Sequence, residues 1–272
     1  MTVKDLLVHI DDTKWCKQRV YDAVNLAERN DAHLSGIYIR HIPVVSVYSD
    51  TAAATVYAEL ERQGVERAEE AESKFNQWTH SWRTKSSWRA EVGDPAGIVA
   101  KHAAHHDIVV LGQRDSNRDP SISPEIVDRV AIESGRPILV IPNHGAKKSI
   151  GKRILVAWNG KKEAVRAVHD ALPFLIEADA VEVASINSNR DTDIPCLDIT
   201  EHLSRHGVQV EGGNAETKSH HTGEAILYLA QNFGADLIVM GAYGHSRLRE
   251  YILGGATRHI LEKSKVPLLL SH

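Results

Sequence analysis

Apolar residues in this chain gather in short blocks, separated by longer stretches in which they return every three or four positions. The blocks in the first half are LLVHI (6–10), LSGIYI (34–39), WRAEV (88–92), IVVLG (108–112) and ILVIP (138–142). Those in the second are ILVAW (154–158), VEVASI (181–186), VQVEG (208–212), LIVMG (237–241) and PLLLS (267–271). Runs this short and this rich in Val, Ile and Leu predict buried strands, and the stretches between them predict helices. The longest helix is predicted over 55–83, with Leu60, Ala68, Ala71, Phe75, Trp78 and Trp82 on one face among many Glu and Arg, so its tryptophans are read as packing residues. Strands alternating with helices require parallel strands joined by right-handed crossovers, an α/β fold with an open doubly wound sheet in each half.

The halves repeat one another. Laying KDLLVHIDD (4–12) over KRILVAWNG (152–160) also brings VYDAV (20–24) onto VHDAL (168–172). With small gaps, HHDIVVLG (105–112) matches GADLIVMG (234–241), and SGRPILVIP (134–142) matches SKVPLLLSH (264–272). The basic, glycine-containing stretch NHGAKKSIG (143–151) between them has the composition of a linker. The reading is therefore two domains, 1–143 and 152–272.

Composition narrows the chemistry. The chain has 272 residues, 42% hydrophobic and 25% charged, enough for a core in each half. A formal charge of -4 offers no basic excess for a nucleic acid or an anionic membrane, and no apolar run or signal-peptide pattern indicates a membrane or export, so a cytoplasmic location is expected. The two cysteines, Cys16 and Cys196, lack the spacing of a redox pair or zinc finger. No GxSxG elbow or comparable nucleophile signal is found, and no catalytic residue is assigned.

One segment carries a chemical signal. Gly241 ends the LIVMG block and Gly244 follows three residues later. Gly254 and Gly255 then precede the helical pattern ATRHILEKS. Glycines let a loop turn its N–H groups toward a ligand, and a helix N-terminus adds unpaired donors and a positive dipole end. This combination predicts an anion cradle at the carboxyl end of the sheet, where doubly wound folds bind ligands. His245, Arg247 and Arg249 stand close enough in sequence to add charge. The spacing is neither GxGxxG nor GxxxxGK[ST].

The glycine pattern, the preceding ADLIVMGAYGHS and the opening RILVAWNG resemble the ATP-binding type of universal stress protein, over both halves but far better over the second. The resemblance implies a five-stranded sheet of order 3-2-1-4-5 in each domain, the two domains packed as an internal pseudo-dimer, and homodimerisation. It implies ATP as ligand, or ADP or AMP, with Mg2+ as the candidate accompanying ion. Carried over residue by residue, it places phosphate and ribose at Gly241, Gly244, Gly254, Gly255 and Ala256, and adenine near Ala157, Trp158, Asn159 and Ile186. The chain departs from the family at Gly255, where Ser, Thr or Asn is usual, and at Asn159, where Asp is usual. Both departures favour binding over hydrolysis.

Three functional readings follow: a cytoplasmic stress-response protein regulated by a bound nucleotide, a slow metal-dependent ATPase, or an interaction module with a vestigial pocket. The first half is expected to bind no nucleotide, because aligning 111–129 with 240–258 puts Asp115 at the place of Gly244 and Pro124 and Glu125 at those of Gly254 and Gly255. The alternative for the first half is a different anion, bound by Arg114 and Arg118, or a small apolar ligand. Sixteen histidines include two clusters, His102, His105 and His106, and His202 and His206 with Asp198, both read as solvated helix faces.

Overall fold

The computed structural model describes residues 2–40, 51–113, 126–146, 149–185, 196–210, 222–243 and 255–272. The first half runs β1 (Asp5–Ile10), α1 (Cys16–Asn30), β2 (His33–Arg40), α2 (Thr51–Thr79), β3 (Ser86–Val92), α3 (Pro95–Ala103), β4 (Ile108–Gly112), α4 (Ile126–Glu133) and β5 (Ile138–Ile141). The second runs β6 (Arg153–Trp158), α5 (Lys162–Glu177), β7 (Ala180–Ser185), α6 (Cys196–Arg205), α7 (Thr222–Phe233), β8 (Leu237–Gly241), α8 (Gly255–Lys263) and β9 (Leu268–Ser271).

All strands join one sheet of order β3-β2-β1-β4-β5-β9-β8-β6-β7. Pairings are parallel except at the centre, where β5 and β9 run antiparallel with Leu139 opposite Leu269. This corrects the expectation of two separate five-stranded sheets. Each half ends its sheet on a strand with no polar side chain among Ile138, Leu139, Val140 and Ile141, or among Leu268, Leu269 and Leu270, and each of these is almost wholly buried. Left unpaired, either would be an apolar edge with free N–H and C=O groups, and pairing them removes both. Of the block at 208–212 only 208–210 lie among the described residues, and there Val210 bridges Val181.

Burial on both faces accounts for the unbroken apolar runs of the inner strands. On one face Leu6, Val8, Ile10, Ile154, Val156 and Trp158 pack with residues of α1, α2, α5 and α6. On the other, Leu7, Val109, Leu155 and Ile238 pack with residues of α3, α4, α7 and α8. In α2, Ala71 and Phe75 are buried and Ala68, Trp78 and Trp82 pack against the core, as packing residues should. Leu60 is exposed with its neighbours over 55–60, because this part of the helix lies off the core.

The repeat also extends to polar groups. Asp107, before β4, accepts from the N–H groups of Lys4 and Asp5 through Oδ2 at 2.7 and 3.0 Å. Asp236, before β8, accepts from Gly151, Lys152 and Arg153 at 2.9–3.0 Å. In each half one aspartate ties the start of the first strand to the start of its neighbour.

Candidate functional site

In the second half β6 and β8 run side by side in parallel, Ala157 opposite Met240, so their carboxyl ends open at the same edge of the sheet. Beyond β6 the chain turns at Asn159 and Gly160. Asn159 Oδ1 accepts from Lys161 N–H at 3.0 Å, and Gly160 takes a φ of 69°. This is an Asx turn delivering the chain into α5, and it gives the exposed Asn159 a structural task.

Gly241 has a packing reason as well as a candidate chemical one. A Cβ there would stand 2.5 Å from Ala164 N and from Glu163 C, so the first turn of α5 lies directly against the end of β8. That contact also places Glu163, a buried carboxylate in the first turn of α5, beside the strand end. Glutamate at such a position is common for dipole reasons alone, so its sequence carried no warning of its burial.

On the opposite side of the opening stands α8. Gly255 is its first residue, exposed, and among the described residues no atom lies within 4 Å of where its Cβ would be. Ala256 is half-buried and Thr257 buried. A helix N-terminus carries unpaired N–H donors, and α8 begins at the carboxyl-end edge of the sheet. Ile186, Gly244, His245, Arg247 and Gly254 lie outside the described residues.

The structure separates two residues that the sequence reading grouped. Trp158 belongs to the core on the α5 and α6 side, whereas Ala157 packs on the α7 and α8 side. Adjacent strand residues face opposite ways, so one bound ring meets the side chain of only one of them. The alternation in ILVAW was available from sequence as a signal of this.

Tyr243 was not anticipated. Its φ is 66°, an unusual conformation for a bulky residue, and its hydroxyl donates to Asp128 Oδ1 on α4 at 2.5 Å. Burial and the neighbouring carboxylate push the phenol well above its ordinary range. His272 lies edge-on to the Tyr243 ring, centroids 6.1 Å apart, and its Nδ1 meets Ala242 O at 3.1 Å.

The first half is built differently at the equivalent place. Asp11 aligns with Asn159 and makes the same turn, accepting from Thr13 N–H at 3.0 Å. Its other oxygen, Oδ2, lies 2.9 Å from Arg19 NH2, and Arg19 Nε donates to His9 O at 3.0 Å. The buried guanidinium lies across Gly112, 2.1 Å from where a Cβ would be. Ala167 stands in the place of Arg19 in the second half and Ala157 in that of His9. Arg19 and His9 thus fill the first strand end, where the second half has alanines on opposite faces of the sheet, Ala167 on the α5 side and Ala157 on the α7 and α8 side.

The histidine clusters have mostly internal partners. His102 Nε2 lies 2.5 Å from Glu91, His106 Nδ1 meets His102 O at 2.8 Å, and the His202 and His206 rings meet with centroids 4.7 Å apart. Among the described residues no three His, Cys, Asp or Glu side chains are grouped to hold a metal ion. Nor is any described helix long and apolar enough to cross a membrane.

The fold is that of an α/β protein with a parallel-dominated sheet. Residues 151–272 match the universal stress protein family. Universal stress protein Slr1230 of Synechocystis is 25% identical over 169 residues, 60% of this chain and 57% of that one. Universal stress protein MJ0577 of Methanocaldococcus jannaschii is 38% identical over 47 residues, 17% of this chain and 29% of that one. The matches thus span a little over half of one relative's length and under a third of the other's. The fold extends across both halves: a universal stress protein from Archaeoglobus fulgidus superposes with a TM-score of 0.80 at 17% identity, covering 98% of this chain and 96% of that one. A putative universal stress protein from Pseudomonas aeruginosa gives 0.60 at 16% identity, with 99% and 93% covered.

Proposed function

We propose that this chain is a tandem universal stress protein, with domains at 1–143 and 152–272, that binds one adenine nucleotide in its second half. On this reading it acts in the cytoplasm in a stress response, and ATP, or ADP or AMP, sets the form that a partner recognises. Phosphate and ribose take the segment from Gly241 through Gly244 to Gly254, Gly255 and Ala256, flanked by His245 and Arg247. The base takes the strand end at Ala157, Asn159 and Ile186, with Trp158 contributing backbone only.

The observation that carries the reading is the contrast between the halves. Ala167 and Asn159 stand in the half that matches the family, where the first half has a buried Arg19–Asp11 pair at its strand end. A divalent ion such as Mg2+ would be held mainly by the phosphates, which needs no protein cage.

Calorimetry with ATP tests this. One nucleotide per chain is expected, with binding lost in Gly254→Val, where a branched side chain takes the space of a phosphate. Two per chain, or full affinity in that variant, overturns the reading.

A further inference from the structure

We propose that the outer edge of β3 is the surface on which two copies of this chain meet, their β3 strands pairing antiparallel about a two-fold axis at Ala90. β3 ends the sheet on the first-half side and pairs with β2 alone among the described residues. Leu34 N–H donates to Lys85 O at 2.9 Å and Gly93 N–H donates to Arg40 O at 3.1 Å, one at each end of a continuous register. Alternate residues of a strand turn to alternate sides, so Ser87, Arg89 and Glu91 direct their N–H and C=O groups to β2, and Ser86, Trp88, Ala90 and Val92 direct theirs outward. Ser86, Ala90 and Val92 are exposed. β7, which ends the sheet on the other side, is buried or half-buried along its length and bridged by Val210, so the two ends differ.

Three features favour a second copy as the occupant. The first is the length of the edge. β3 offers 7 residues with no proline and no break in register, and a bare edge of this kind recruits a strand unless charge keeps one away. The second is the placement of the charge it does carry. About a two-fold at Ala90, each residue faces the one equally far on the other side of Ala90, which sets Arg89 of either copy opposite Glu91 of the other. These are pairs without mutual hydrogen bonds, whose Cα atoms approach to about 4.5 Å, where opposite charges attract and like charges repel. His102 Nε2 meets Oε1 of Glu91 at 2.5 Å, leaving Oε2 for the guanidinium.

The third feature is an unmatched apolar side chain. Val92 is 43% exposed at the end of the strand. In the same arrangement it faces Trp88, whose ring packs on Phe75 of α2 with centroids 5.4 Å apart. An aromatic ring opposite a β-branched residue is a favourable cross-strand pair. The outward backbone groups of Trp88, Ala90 and Val92 then bond to those of Val92, Ala90 and Trp88. A two-fold at Trp88 satisfies the backbone and pairs Glu91 with Lys85, but it sets Arg89 against Ser87 and Val92 against Thr84, leaving both without a matching partner. Self-complementarity about one axis is what a contact between identical copies requires, and an unrelated strand has no reason to supply it.

The contact needs no bound nucleotide, so it stands apart from the nucleotide reading. Sedimentation of the full chain without nucleotide is expected to show a dimer. Ala90→Pro removes an outward N–H at an edge, where proline is tolerated by the fold, and is expected to give a monomer. Arg89→Glu, at an exposed position, sets carboxylates opposite one another and is expected to weaken the dimer about tenfold or more. It carries the test if Ala90→Pro fails to fold. Ala90→Cys, made together with Cys196→Ser, brings two thiols face to face in a hydrogen-bonded pair with Cα atoms about 5.5 Å apart, within reach of a disulfide, and Cys16 is buried. Mild oxidation is expected to give a covalent dimer from that variant and none from Ser86→Cys with Cys196→Ser. The proposal is overturned by a wild-type chain that stays monomeric at about 100 µM, by a dimer that Arg89→Glu and Ala90→Pro leave unchanged, or by a dimer in which Ala90→Cys does not cross-link.

Discussion

Asp11 shows how one residue decides what a strand end can do. Burial raises the pKa of its carboxyl, but Arg19, His9 and Thr13 outweigh that and hold it at about 2, against an ordinary 3.8. A carboxylate with a depressed pKa contributes stability that is complete above pH 3.8 and is lost as the pH falls through 2. Asp11→Asn strands a buried guanidinium and is expected to cost roughly 3–5 kcal/mol at pH 7. In denaturant titrations the gap between wild type and variant should narrow toward pH 2, where the wild-type carboxyl is itself protonated. His9 adds a separate acid step. Burial lowers it to about 4, Arg19 assisting and Asp11 opposing. Its contribution is present above pH 6.5 and is lost as the pH falls through 4, so wild-type stability should decline over that window more steeply than that of His9→Leu.

The glycines of the candidate site divide at the same scale. Gly241→Ala forces a Cβ against the backbone of α5 and is expected to destabilise the fold by about 1–3 kcal/mol. Gly255→Ala meets no atom of the described residues and should leave stability within about 0.5 kcal/mol of wild type. On the proposed function it should nonetheless weaken ATP about tenfold, since its methyl group occupies the space given to phosphate. Denaturation and calorimetry on the two variants separate packing from binding, and equal ATP affinity in Gly255→Ala would move the phosphates elsewhere.

Among elements, the connection leaving β8 is governed by a helix of the other half. Tyr243 begins that connection in a left-handed conformation and is held by Asp128 on α4. A hydrogen bond to a charged group contributes about 1.5–3 kcal/mol, comparable to the cost of the backbone conformation it accompanies. Tyr243→Phe and Asp128→Asn should each destabilise the chain by an amount in that range. In a double-mutant cycle the second substitution should add little to the first, and fully additive losses would mean that the two side chains do not act as a pair. Gln113, leaving β4, crosses the junction the other way, its amide donating to Leu261 O and Ser264 O at 2.9 Å. Tyr243 after β8 and Gln113 at the end of β4 thus each reach the partner half.

For the whole molecule the deciding feature is the antiparallel join of β5 and β9. A fragment of residues 149–272 carries the family domain but exposes the β9 edge with Leu268, Leu269 and Leu270. Such an edge recruits another strand. Sedimentation of this fragment should show dimers or larger species, and a well-folded monomer at micromolar concentration would contradict the role given to the join. The join is internal to the intact chain, so the proposed homodimer must use another surface, and sedimentation of the full chain tests whether it forms.

Local pattern settled much of this protein. Short apolar blocks separated by helical periods identified its parallel strands, because strand and helix periods are written in neighbouring residues. The repeat placed Asp11 over Asn159 and Asp107 over Asp236, and the glycines after 240 drew attention to the edge of the sheet where α8 opens. Other features depended on residues far apart in the chain. That β5 and β9 merge two sheets into one, that Arg19 crosses Gly112, that Tyr243 reaches Asp128, and that Trp158 faces α5 and α6 while Ala157 faces α8 are matters of tertiary placement. Each is a contact whose energy exists only once the chain has brought the two groups together, and a periodic pattern records which residues are buried without recording against what.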